Sequence, residues 1–420
     1  MGRKFPLQAV LGIVVLLGFA WLISENRRQF EWRIVTVGLV LQFLIAGALL
    51  TFEPVRDVLL LANVLVHGIE RATTAGTSFV FGFLGGGETP FEVTREDAIY
   101  LFAFRVLPQI LVFSVLVALG WYWRILPVLI HGFSWALRRT LGVGGAVGVA
   151  AASSVFLGMV EAPLVIRAYL ARLSRSEFFV VMTCGMSTVA GSIMVLYANI
   201  LGRVIGGALG HILIASVVNV LGAVIVARIM VPADRTTEGG DVADALAYDS
   251  IMDAITRGTT DGLRLVVNVG AMLIVLVSLI ALVNALLSPL VLGDAAVTLE
   301  RMMGWLFAPV AWLIGVPWDE ALTAGSVLGT KLVLNELVAY IQLAAIPTDA
   351  LSADARLILT YALCGFANFG SLGIMLGGLG ALVPERRREL LELAPKTLIS
   401  GTLVTCVTGA IAGLVYAPAA

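Results

Sequence analysis

The chain is short of charge. Only 13% of its 420 residues are Asp, Glu, Lys or Arg, against roughly 25% in a soluble domain. Beside 59% hydrophobic residues, that deficit excludes a disordered chain, a nucleic-acid-binding surface and an ordinary cytosolic enzyme. Lysine is scarcer still: Lys4, Lys331 and Lys396 stand among 27 basic residues. The net charge of −1 points to no charged partner. The three cysteines, Cys184, Cys364 and Cys406, are too few, odd in number and set in apolar runs. That excludes a disulfide framework and leaves no metal-binding spacing. His67, His131 and His211 fall in three separate segments, so they make no metal cluster. What the chain has in plenty is apolar sequence and 44 glycines, which suit closely packed and broken helices in a bilayer.

A membrane helix needs about 20 mostly apolar residues. Pro6–Ile23, Ile34–Phe52, Ala98–Trp121, Phe178–Leu201, His211–Val231, Leu263–Leu287, Leu351–Leu382 and Thr397–Tyr416 meet that need, giving about eight spans. Ser24-Glu25-Asn26-Arg27-Arg28 follows the first run in place of a small-residue cleavage site, so that run reads as a retained span. Val55–Ala75, Leu126–Leu141 and Leu299–Leu313 are amphipathic and read as interfacial helices. Ala233–Gly258 reads as an acidic soluble loop. Two apolar segments, Gly145–Ser174 and Trp318–Ile346, carry polar breaks in their middles and read as re-entrant hairpins. Irregular backbone at that depth needs protein or water around it.

Basic residues near span ends set the orientation. With Arg27, Arg28 and Arg33 inside, alternation also puts Arg124, Arg138 and Arg139 inside, then Arg228, Arg235 and Arg257, then Arg386, Arg387, Arg388 and Lys396. The first hairpin then enters from the cytoplasm and the second from the opposite side. Span, hairpin, span, span covers 98–231 and recurs, upside down, over 263–416. Cys184-Gly185-Met186-Ser187-Thr188 is echoed by Cys364-Gly365-Phe366-Ala367-Asn368. Paired broken helices in an inverted repeat are the architecture of secondary transporters, with the substrate near the midplane.

Glu161 and Glu336 lie inside the hairpins. An ionisable group there costs about 2.5–3.5 kcal/mol even on a lenient insertion scale. Their reading is a polar substrate or cation site; the competing one is a structural tie to Lys331, Arg105 or Arg167. Pro163 suits the first turn of the first hairpin's second helix. The small and polar run Phe366–Gly373 predicts local unwinding, with Asn368 and Ser371 as hydrogen-bonding groups and Phe366 as a stacking face. Thr188 and nearby carbonyls offer the oxygen ligands that hard cations favour. Two acids, an amide, a hydroxyl and a ring suit a sugar with vicinal hydroxyls and a flat base. An intramembrane enzyme using the two carboxylates finds no further support.

Four stretches then carry a resemblance: GMVEAPLVIRAYL (Gly158–Leu170), MTCGMSTVAGSIMVLYA (Met182–Ala198), GTKLVLNELVAY (Gly329–Tyr340) and TYALCGFANFGSLGIMLGGLGALVPERR (Thr360–Arg387). They resemble the concentrative nucleoside transporter family, strongly over 145–405 and weakly before Ala98. The resemblance implies a homotrimer in a bacterial inner membrane, without an enzymatic cofactor, importing nucleosides with a cation by an elevator-like movement. It implies a scaffold of 1–97, 98–141 and 233–317, and a transport domain of 142–232 and 318–420.

Carried over by motif, Glu336, Asn368 and Ser371 bind the ribose, and Phe366 and Leu372 line the site. Met159, Val160, Glu161 and Ile193 take the base-reading positions. Ser154, Leu157, Thr188 and Val189 take the cation positions, with Na⁺ as the implied ion. Two departures stand out. The family has Gln, then Ser or Thr, before the first glutamate; this chain has Met159 and Val160, which removes two hydrogen-bonding groups. Sodium-coupled members carry Asn where this chain has Ser154, so H⁺ coupling through Glu161 or Glu336 stands beside Na⁺. A transporter of another hydroxylated molecule, or a membrane protein that binds ligand without concentrating it, is the competing reading.

Overall fold

A computed structural model describes residues 6–51, 68–69, 71–93, 101–202, 204–233, 237, 248–292 and 295–416. The described chain is helical nearly throughout, as an apolar sequence must be where no water satisfies the backbone. A two-residue ladder, Val291–Leu292 with Ala295–Ala296, is the exception. Most of the interfacial segment expected over Val55–Ala75 and most of the acidic loop lie outside the described residues; residues 71–81 are helical.

Four described helices are long and apolar enough to cross a membrane: Trp32–Leu50, Phe102–Tyr122, Ala208–Met230 and Pro384–Val415. Pro6–Leu22 and the long Ile251–Leu287 fill two more of the expected spans. The remaining two are each broken in the middle. Arg175–Ser187 stops at Thr188, whose backbone is extended, and Gly191–Leu201 restarts after Ala190. Ala353–Leu363 stops at Cys364, and Phe369–Leu382 restarts behind Asn368. Both breaks fall where the short sequence echo lies.

The hairpins differ in build. The second has two continuous arms, Trp318–Val333 and Glu336–Ala345, tied by a 3.2 Å bond from Gln342 to Ser326. The first has one continuous arm, Gly145–Ser153, and a return arm reduced to two single turns, Glu161–Leu164 and Arg167–Leu170. Pro163 lies inside the first of these turns, where a proline is tolerated. Each hairpin follows an expected interfacial helix, Ile125–Leu141 or Leu299–Leu313. The second of these meets Trp318–Val333 at a 118° bend. Gly315 makes that corner in a left-handed conformation (φ +111°). The two helices then touch through glycine: a Cβ on Gly325 would sit 2.6 Å from the Ala308 amide nitrogen.

Packing sorts the helices. Ile251–Leu287 lies on Gln109–Tyr122, where Gly258 and Gly262 let the backbones meet. A Cβ at either glycine would be 2.9 Å from the Cα of Val115 or Leu111. Ala208–Met230 and Arg387–Val415 are the buried centre, with both broken helices against them. Pro6–Leu22 and Trp32–Thr51 also pack on that centre. At the end expected to face the cytoplasm, Glu25 accepts from Arg175 (2.9 Å) and Lys396 (2.6 Å). That joins the first loop, the first broken helix and the last helix.

Candidate functional site

The second hairpin turns at Leu334 and Asn335. The Asn335 side chain caps the returning helix by accepting from the Val338 amide at 2.9 Å. Glu336 is therefore the first residue of that helix, where the helix dipole favours a carboxylate. It is buried, and both of its oxygens are used. Tyr197 donates its hydroxyl to Oε1 at 2.5 Å, and Asn368 donates Nδ2 to Oε2 at 2.9 Å. Tyr197 comes from Gly191–Leu201 in the other repeat, so this contact spans the two halves of the fold. Its ring lies 5.0 Å from that of Tyr340, whose hydroxyl donates to the Thr360 carbonyl at 3.0 Å.

Asn368 serves two ends at once. Its Oδ1 accepts from the Ser371 amide at 2.7 Å and caps Phe369–Leu382, which leaves its amide to face Glu336. Glu336, Asn368 and Ser371 are thus joined in one hydrogen-bonded chain. Phe366 is buried in the break, and Leu372 is half-buried one turn into the following helix. Lys331 is buried too, but it is not the tie to a glutamate that the sequence allowed. Its ammonium donates to the Ala362 carbonyl (2.8 Å) and to Thr405 Oγ1 (2.7 Å), closing the end of Ala353–Leu363.

The first hairpin meets the same region from the other side. Its tip is fixed to the first break: the Gly191 amide donates to the Phe156 carbonyl at 2.9 Å. Met159 rests on Gly185, where a Cβ would approach its own Cβ to 3.0 Å. Val160 rests on Gly378 of Phe369–Leu382, where a Cβ would lie 2.5 Å from its Cγ2. Ile193 is buried in the first turn after the break. Glu161 is exposed, and its carboxylate turns back over Gly158. The structure does not bring it into the group around Glu336.

The Ser154 hydroxyl donates to the Ala151 carbonyl at 2.7 Å, and the Thr188 hydroxyl donates to the Cys184 carbonyl at 2.9 Å. With each proton so engaged, the oxygen lone pairs remain as acceptors, the ligand type a hard cation takes. All four candidate cation residues, Ser154, Leu157, Thr188 and Val189, are buried. The Phe156–Gly191 bond brings their two segments side by side. Sequence reasoning missed Tyr197. It stands within the stretch of resemblance, but an isolated tyrosine in an apolar helix carries no spacing that marks it.

The chain is similar to known proteins over nearly its whole length. Residues 11–84 match the family model described as the N-terminus of Na⁺ dependent nucleoside transporters, and residues 211–413 match its C-terminus. Residues 103–204 match a model described as nucleoside recognition. The chain is 35% identical to nucleoside permease NupC of Helicobacter pylori, over 97% of each protein. It is 37% identical to an uncharacterised transporter, YutK, of Bacillus subtilis, over 97% of this chain and 99% of that one. Identity to sodium/nucleoside cotransporter 1 of Mus musculus is 32%, over 99% of this chain and 65% of the mouse protein. Among solved structures, CNTnw in an inward-facing, substrate-bound state superposes with a TM-score of 0.87. A doubly substituted CNTnw in an outward-facing state gives 0.90. Both are 34% identical and cover 98% of this chain; the match spans 99% of the first structure's chain and 98% of the second's.

Proposed function

The chain belongs to the concentrative nucleoside transporter family, and from that premise we propose how its site works. The protein is a transporter and not an enzyme: a cation-coupled symporter of nucleosides in the bacterial inner membrane. The observation that carries the reading is Glu336, a buried carboxylate whose two oxygens are held by Tyr197 and Asn368. Vicinal ribose hydroxyls are donors that such a carboxylate accepts, and Asn368 and Ser371 complete the polar end. Phe366 and Leu372 form the wall. Met159, Val160, Glu161 and Ile193 face the base.

The coupling ion is Na⁺, taken by Ser154, Leu157, Thr188 and Val189, largely through backbone carbonyls. The Na⁺ dependence of the matched family and the two engaged hydroxyls support this ion over H⁺. Moving one charge inward yields about 2.3 kcal/mol per 100 mV of membrane potential. The moving body comprises 142–232 and 318–420, and the chain works as a homotrimer on a scaffold of 98–141 and 233–317. The packing of Pro6–Leu22 and Trp32–Thr51 on Ala208–Met230 and Arg387–Val415 favours counting them with the moving body.

Uridine and adenosine uptake into proteoliposomes tests the substrate, with choline replacing Na⁺ at fixed pH to test the ion. Uptake that follows the Na⁺ gradient supports the reading; uptake that follows only a pH gradient assigns the coupling to H⁺. A second reading, transport of another hydroxylated molecule, rests on the apolar seats of Met159 and Val160. Competition by amino sugars but by no nucleoside would favour it.

A further inference from the structure

The two helix breaks are held together by one side chain that touches neither candidate ligand position. Asn219 lies near the middle of Ala208–Met230 and is fully buried. Its amide nitrogen donates to the Ser187 carbonyl at 2.7 Å and to the Cys364 carbonyl at 2.6 Å. Each carbonyl belongs to the last turn before a break, where a helix leaves its acceptors without ladder partners. The two acceptors fix which way the amide points, since only the NH₂ group can serve both. The breaks also touch directly: a Cβ on Gly365 would lie 2.8 Å from the Ser187 carbonyl oxygen.

Ser187 precedes Thr188 and Val189, and Cys364 precedes Phe366 and Asn368. One amide therefore joins the backbone that offers cation ligands to the backbone that offers substrate ligands. We propose that Asn219 is a positioning residue that couples cation occupancy at the first break to nucleoside affinity at the second. The inference rests on the cation-coupled reading above. A cation drawn to the Thr188 segment fixes the Ser187 carbonyl, Asn219 passes that constraint to the Cys364 carbonyl, and Asn368 is set for the ribose. Coupling of this kind is reciprocal, so the nucleoside must tighten the cation by the same factor.

The test measures uridine affinity for the purified protein in Na⁺ and in choline, then Na⁺ affinity with and without uridine. Linked sites commonly show tightening of about 5- to 150-fold. Asn219→Leu keeps the bulk and removes the donors; Asn219→Ser is the milder variant, keeping one shorter donor. Both are expected to lose most of the Na⁺-induced tightening while retaining uridine affinity in choline. Thr183→Val is the control, since it removes another buried interhelical bond, Thr183 to Ser400 at 2.8 Å, that involves neither the Ser187 nor the Cys364 carbonyl. It should keep the tightening. Full tightening in a folded Asn219 variant, or equal loss in Thr183→Val, overturns the proposal. No tightening in the unsubstituted protein instead overturns the cation reading beneath it.

Discussion

In the second hairpin the glutamate is buried and both carboxylate oxygens accept hydrogen bonds; in the first it is exposed and turned back over Gly158. The arms differ in the same sense. Glu336 opens a ten-residue helix behind an asparagine cap, whereas Glu161 opens a single turn of four residues with no side-chain cap. The polar end of the proposed site is thus already assembled in the structure, so on that reading its groups need little reordering to bind. The other end is apolar at Met159 and Val160, with an acid that the backbone of Val160 and Glu161, and no side chain among the described residues, holds. On the proposed reading, affinity is anchored at the second hairpin and selectivity is tuned at the first.

The largest expected effect tests that asymmetry. Glu336→Gln turns an acceptor toward a donor at Asn368 and removes a charged hydrogen-bond partner, worth about 1.5–3 kcal/mol, or roughly 10- to 150-fold in nucleoside affinity. Glu161→Gln should cost less, because among the described residues only the backbone of Val160 and of Glu161 itself, and no side chain, donates to its carboxylate. Equal losses in nucleoside affinity for the two variants would break the comparison.

Next comes the contact between the hairpin tip and the second half-helix. Gly378→Ala adds a methyl group against Val160, and overpacking of this kind costs about 1–3 kcal/mol. A lower Tm is expected, with recovery when Val160→Ala is added. A Tm unchanged by Gly378→Ala would show that the tip is not seated there.

Replacing Met159 with Gln and Val160 with Thr sharpens the tuning claim. Thr matches Val in shape, so the seat on Gly378 is kept while a hydrogen-bonding group is added. The expected outcome is a several-fold gain in discrimination among bases in uptake competition, because polar edges are read by polar groups. Unchanged discrimination would remove base reading from these two positions.

The smallest effect lies at the cytoplasmic end. Arg175 beside Glu25, with Lys396, holds its carboxyl below the ordinary range. A lowered folded value means the stabilisation is present above the unfolded value of about 4.3 and is lost as pH falls through the folded value. Glu25→Gln should therefore lower Tm at neutral pH, and the gap should close in acid. The pair is partly exposed, so the effect is about 0.2–1 kcal/mol. A gap that persists unchanged at low pH would show that the ion pairs do not supply it.

Much of this was legible in the sequence because a bilayer leaves few options. Runs of about 20 apolar residues must be helices, and a glutamate inside one must have a reason. The hairpins were visible from Glu161 and Glu336, and the breaks from the echo at Cys184 and Cys364. Asn335 and Asn368 look alike as letters, yet one caps a helix and the other also binds Glu336; that division depends on distances between repeats. Tyr197 and Asn219 were not legible. Each stands in a largely apolar helix with no spacing that marks it, and Glu336 and Cys364 lie 139 and 145 residues away from them in sequence. Lys331 was visible as a buried charge, but its acceptors, a carbonyl and Thr405, have no sequence signature.

The most direct measurement is Na⁺-driven accumulation of uridine in proteoliposomes, run on the unsubstituted protein and on Glu336→Gln side by side. The account predicts accumulation above the outside concentration under an inward Na⁺ gradient, and its loss in the variant. Accumulation by the variant at the unsubstituted level would contradict the central role given to Glu336.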